Sequence, residues 1–197
     1  MSKIWLTSDL HFGHDREFIW GPRGFNNVHE MNDAIIKNWN ATVDAEDDVY
    51  VLGDLMLGNN EESIKMIKQL KGKIHIILGN HDTAPRKALY EECYNVVDVK
   101  YADVIKFNGY TFYLSHYPTM TSNLDDEKPL KTKIISLCGH SHYTNKFKNM
   151  DKGTIYHVEM ECQNNTPISL ETIINDLKTF ISLDKEDQLN IIKKDIY

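Results

Sequence analysis

Five short clusters in this 197-residue sequence gather residue types that bind hard or borderline cations: Asp9-Leu10-His11, Gly53-Asp54, Gly79-Asn80-His81-Asp82, Ser115-His116 and Gly139-His140-Ser141-His142. The potential ligands are carboxylates, one carboxamide and several imidazoles, with no thiolate among them. Structural zinc sites favour cysteine and close at four ligands, so this is a different kind of set. Oxygen and nitrogen ligands in excess of four suit two ions such as Mn²⁺, Fe²⁺/Fe³⁺ or Zn²⁺. Two ions about 3.5–4 Å apart need a bridging ligand, which a carboxylate supplies best, and they lower the pKa of a shared water towards neutrality. A phosphate ester is the natural electrophile for the resulting hydroxide, because both ions neutralise its oxygens during an in-line displacement. Asp9-x-His11 and His140-x-His142 have the i, i+2 spacing that an extended backbone directs to one side. Glycine before Asp54, Asn80 and His140 is expected to let the chain turn sharply, so that the next side chain points inward.

These residues need elements that bring them together. Each cluster ends an apolar run that reads as a strand: 4–8, 48–52, 73–78, 110–114 and 133–138. Helical spacing over 28–40 and 61–71 separates the first three strands, and the alternation implies parallel strands with crossover helices. In such sheets the carboxyl ends of the strands converge on one crevice. Asn108-Gly109 between 104–107 and 110–114 is a hairpin signal. A short strand is expected at 155–158, a surface loop over 117–131, an amphipathic helix over 170–180 and a short helix after Asp184. Any one cluster reads as easily as a turn, since Asp and Asn after a strand bond their own backbone. Five at strand ends do not.

Composition narrows the class. The chain is 41% hydrophobic and 26% charged, within the range of folded domains, and is expected to form one domain over 1–197. Its 29 acidic and 22 basic groups leave a net charge of −7, which argues against a broad cationic face for nucleic acid or anionic membrane. No apolar run approaches the ~20 residues of a membrane span. Cys93, Cys138 and Cys162 have no metal-binding or redox spacing and cannot all pair. A cytoplasmic location is the expectation.

The ordered series from Asp9 to His142 resembles the full motif set of the calcineurin-like metallophosphoesterases. Asp9-Leu10-His11-Phe12-Gly13-His14 is most similar to their short bacterial and phage-type members. The resemblance implies an α/β fold, a four-layer αββα sandwich of two mixed β-sheets with flanking helices. It also implies that Asp9, His11, Asp54 and His142 hold one metal, and that Asp54, Asn80, His116 and His140 hold the other, with Asp54 bridging. Manganese is the expected ion, with iron, zinc and nickel as alternatives. The family places His81 beside the scissile phosphate, as general acid or transition-state stabiliser, and an imidazole titrating near neutrality suits that task. Asp82 reads either as a residue orienting His81 or a ligand, or as a turn cap. His14, Arg16, Arg23 and Arg86 follow the first and third motifs and are candidates for substrate contact, Arg being suited to bidentate phosphate binding. Tyr117 and Tyr143 adjoin ligand histidines. The expected substrate is a phosphate-ester small molecule or a nucleotide, as monoester or diester. A nuclease of the same fold and a non-catalytic scaffold are the alternative functions.

Overall fold

The structure, a computed structural model, describes residues 2–121 and 128–194. Strands β1 (Ile4–Thr7), β2 (Asp48–Leu52), β3 (Lys73–Ile77) and β4 (Val96–Lys100) run parallel in the order β4-β3-β2-β1. A two-residue strand, β9 (Ile168–Ser169), joins antiparallel beside β1. The second sheet has the order β5-β6-β7-β8, built from β5 (Asp103–Phe107), β6 (Tyr110–Leu114), β7 (Ile134–Cys138) and β8 (Ile155–His157). β5 and β6 form an antiparallel hairpin, while β6, β7 and β8 are parallel. Both sheets are therefore mixed. Asn108 and Gly109 both have positive φ, 50° and 79°, as a two-residue turn matching strand twist requires.

Period-two alternation along β2 and β3 divides the interior into two cores. Val49, Val51, Ile74 and Ile76 face one way, onto α2 (Val28–Thr42), α3 (Asn60–Ile67) and α4 (Ala84–Glu91), where Met31, Ile35, Trp39, Ile67 and Tyr90 are buried. Leu52 and Ile77 face the other way, with Leu6, and meet Phe112, Leu114, Ile135 and Leu137 of the second sheet. α5 (Leu170–Ser182) carries Leu170, Ile173 and Leu177 into that second core. Its start is capped by Ser169, whose hydroxyl accepts from the Thr172 N–H. A last helix, α6 (Lys185–Lys193), follows the Asp184 cap. Two stacked mixed sheets with flanking helices are the layered α/β fold that the motif series implies.

The structure adds elements that the sequence pattern did not reveal: α4, β4, β9 and a four-residue helix, Glu17–Trp20, inside the first long loop. Part of the 117–131 segment expected as a surface loop, residues 122–127, lies outside the described residues. Among the described residues no helix is long and apolar enough to cross a membrane. The three cysteines are free. His75 lies between Asp48 and Asp98, and the fully buried His157 faces Glu159 and Asn149; both serve packing.

Candidate metal centre

β1, β2, β3, β6 and β7 deliver their carboxyl ends to one place, and backbone contacts fix how those ends meet. The Asp9 N–H donates to the Gly53 carbonyl and the His11 N–H to the Asp54 carbonyl, both at 3.0 Å. The two sheets are joined where the His140 N–H donates to Asp9 Oδ2 at 2.9 Å. Asp9, His11, Asp54, His140 and His142 all have positive φ, between 51° and 77°. Among the described residues, the other non-glycine positions in this region of backbone space are Asn108, Asn164 and Asn165, a residue type that tolerates it. This corrects the expectation of extended i, i+2 pairs: each pair converges through two left-handed residues instead. Of the three glycines expected to turn the chain, only Gly53 has positive φ (94°). At Gly79 and Gly139 the requirement is space, because a Cβ would run into the carboxylates of Asp54 and Asp9 respectively.

Two groups of ligand atoms result. In the first, His11 Nε2 lies 3.2 Å from His142 Nε2 and 3.8 Å from Asp9 Oδ1, and His142 Nε2 lies 3.7 Å from Asp9 Oδ1. In the second, Asn80 Oδ1 lies 2.8 Å from both His116 Nε2 and His140 Nδ1, which are 3.2 Å from each other. Asp54 Oδ2 stands between the groups, 3.8 Å from His11 Nε2 and 3.5 Å from His116 Nε2. Asp9, His11, Asp54 and His116 form a buried floor; Asn80 and His140 are exposed, with His142 between.

The protonation pattern fits cations. His116 Nδ1 donates to the Leu52 carbonyl and His142 Nδ1 to Glu161 Oε1, each at 2.8 Å, which leaves both Nε2 atoms as lone pairs. His116 Nε2 lies 2.8 Å from the Asn80 side-chain oxygen, close enough for one ion to take both atoms. Asp9 Oδ1 is buried without a hydrogen-bond partner, at a cost that a bound ion would remove. Burial pushes the imidazoles of His11 and His140 below their ordinary pKa, towards the neutral form a metal needs. Burial would lower His142 as well, but its bond to Glu161 raises it overall. For Asp9, burial is outweighed by the surrounding histidines, and its carboxyl is held below the usual range.

The remaining candidates divide. His81 sits half-exposed at the rim, Nε2 3.9 Å from Asp54 Oδ2, and its backbone N–H donates to Asp54 Oδ1 at 2.9 Å. Asp82 does not touch the His81 ring. Its Oδ2 accepts from the N–H groups of Asp54 and Gly79, both at 2.8 Å, and its Oδ1 from the Tyr90 hydroxyl at 2.7 Å. His14 borders the site, its ring 5.2 Å from that of His11 and 5.7 Å from that of Phe18. Arg16 is exposed at the start of the Glu17–Trp20 helix. Two arginines make their contacts within the chain. Arg86 is turned onto the His81 carbonyl (2.6 Å) and Asn60, bracing the rim. Arg23 is buried beneath the site, on the carbonyls of Asp9 (2.6 Å) and Leu10 (3.1 Å) and on Glu161. Tyr117 packs edge-on to His116 and His140, whereas Tyr143 packs on His157. Glu161 was not found in the sequence, where it stands between Met160 and Cys162 with no motif around it.

The family profile described as the calcineurin-like phosphoesterase superfamily domain matches residues 3–159. The chain belongs to this superfamily. It is 35% identical over 180 residues to the uncharacterized protein MJ1445 of Methanocaldococcus jannaschii, covering 88% of this chain and 90% of the relative. It is also 31% identical over 169 residues to the gene 66 protein of Mycobacterium phage D29, covering 72% and 79%. Among solved structures, the protein of unknown function AQ665 from Aquifex aeolicus shares the fold, with a TM-score of 0.65 at 22% identity over 90% of this chain and 100% of that one. The calcineurin-like family is metal-dependent, and this member carries candidate ligand sets at Asp9, His11 and His142 and at Asp9, Asp54 and His116, with ligand atoms mutually within 4.8 Å.

Proposed function

We propose that the chain hydrolyses a phosphate ester, monoester or diester, with two divalent ions held by its strand-end ligands. Asp9, His11, Asp54 and His142 hold one ion; Asp54, Asn80, His116 and His140 hold the other. The observation that supports this reading best is the position of Asp54 Oδ2, within 4 Å of ring nitrogens from both groups on a buried floor. The mixed carboxylate, carboxamide and imidazole donors suit Mn²⁺, with iron, zinc or nickel as alternatives. When bound, such a pair supplies positive charge for the phosphoryl oxygens and makes a water acidic enough to attack near neutral pH.

The chain's own residues supply the rest. The buried carboxylates exclude solvent from the ligand side, while the open rim of Asn80, His140 and His81 admits the ester. His81 holds a proton for the leaving oxygen, its backbone fixed from both sides by Asp54 and Arg86. The substrate is a small phosphate ester or a nucleotide, since the net charge of −7 opposes an extended polyanion.

The direct test is turnover of an aryl phosphate monoester and a bis-aryl diester by purified protein with Mn²⁺. Asp54→Asn is expected to abolish turnover. His81→Ala is expected to keep bound metal but lose about 10²–10⁴-fold in rate, the usual range for a general acid. Undiminished turnover in excess chelator would overturn the reading.

A further inference from the structure

Arg23 and Glu161 are 138 residues apart in sequence and meet below the candidate metal centre, where the mechanism above gives neither a task. The Arg23 side chain is fully enclosed and that of Glu161 is 6% exposed. Glu161 Oε1 accepts from Arg23 Nε and His142 Nδ1, each at 2.8 Å, and forms an ion pair with Arg23 Nη2 at 2.8 Å. Glu161 Oε2, also buried, has no hydrogen-bond partner. Arginine–carboxylate pairs frequently set both oxygens on the guanidinium. Here one oxygen takes every contact and is shared with a ligand histidine, at the cost of an orphaned atom. The guanidinium also donates to the carbonyls of Asp9 and Leu10, so the Arg23–Glu161 pair links the backbone of two residues at the end of β1 to the ring of His142, after β7.

We propose that Glu161, held by Arg23, is a positioning residue that fixes His142 as an Nε2 ligand and so sets the affinity of the ion shared by Asp9, His11, Asp54 and His142. This rests on the two-ion reading above. The second ion's histidines have no carboxylate of this kind: His140 is exposed, and His116 is oriented by the neutral Leu52 carbonyl, which Glu161 does not touch. Carboxylate–histidine–metal arrangements fix ring tautomer and raise ligand basicity, and their loss weakens metal binding by about 10–100-fold. Glu161 therefore governs one ion and not the other.

The test is titration of the chelator-stripped full-length chain with Co²⁺, by calorimetry and by visible absorption, with metal-free melting measured alongside. The wild-type chain is expected to take up two ions. In Glu161→Gln, one of the two affinities falls by about 10–100-fold, its absorption band shifts, and the other affinity is unchanged. Glu161→Asp, which keeps a charge for Arg23 but withdraws it from His142, is expected to weaken the same ion, and it carries the measurement should Glu161→Gln fail to fold. Wild-type affinity for both ions in the variants would overturn the proposal, as would equal weakening of both. A wild-type chain that takes up no Co²⁺ would overturn the two-ion reading itself, a different result from two ions bound alike by all three chains.

Discussion

Five candidate ligand residues, Asp9, His11, Asp54, His140 and His142, hold a backbone conformation that costs about 1–3 kcal/mol for a residue with a side chain. At His140, which is exposed and whose φ is 77°, glycine would adopt the same backbone without strain. His140→Gly is expected to leave the metal-free chain as stable as wild type or up to about 1 kcal/mol more so, while weakening metal uptake; urea unfolding and a metal titration read the two effects separately. A clear loss of metal-free stability would show that the backbone is not strained there. His14 gives a pH dependence. Burial, with the nearby His11, His81 and Arg16, pushes its imidazole down to about 4 from 6.5, and burial lowers His11 and His140 too. The native state thus disfavours protons that the unfolded chain accepts below pH 6.5. The stability these groups contribute is complete above that value and is lost as pH falls towards about 4. The urea midpoint of chelator-treated protein should drop between pH 7 and 5, and His14→Gln should flatten the drop; a midpoint that rises on acidification contradicts this.

Strand ends place the ligands, and one clamp places the strand ends. Asp82 collects the backbone N–H groups of Asp54, at the end of β2, and Gly79, at the end of β3, and is itself held by the Tyr90 hydroxyl from α4. Tyr90→Phe strips a buried carboxylate oxygen of that donor and is expected to cost about 1–3 kcal/mol, measured by urea unfolding, with weaker metal binding as the β2 and β3 ends loosen. Gly79→Ala drives a Cβ into the Asp54 carboxylate and peptide, and a destabilisation of about 1–3 kcal/mol is expected from that overpacking. Wild-type stability in Gly79→Ala would show that the strand ends are looser than they stand. The strands and the polar residues at their ends were legible because both signals are local: an apolar run, then a glycine or carboxylate. α4 and β4 were not legible, since Pro85, Arg86 and Lys87 interrupt one apolar pattern and the half-buried Val96-Val97-Asp98-Val99-Lys100 blurs the other. Nor were the tasks of Arg23 and Glu161, which are 138 residues apart, or of Tyr90, whose bond to Asp82 depends on how α4 packs against the strand ends. The sequence placed Arg23 and Arg86 near the mouth by proximity to motifs, yet it carries no sign of which way a guanidinium turns.

At the scale of the whole molecule, the site is a seam between two sheets. Asp9, His11, Asp54 and Asn80 come from the first, His116, His140 and His142 from the second, so ions bound by both groups would also hold the sheets together. A ligand that binds only the folded chain stabilises it by about 2.7 kcal/mol when present at a hundred times its Kd. Adding Mn²⁺ to chelator-stripped protein is accordingly expected to raise the melting temperature by several degrees, and Asp54→Asn should abolish most of the rise; an equal rise in both chains would place the binding elsewhere. The bond between Asp9 and His140 spans 131 residues of sequence, as does the contact between His11 and His142. A ribosome-bound fragment therefore owns the first carboxylate long before it owns the imidazoles that complete it. A cation that needed the complete set would therefore be captured late in folding, once both sheets have met.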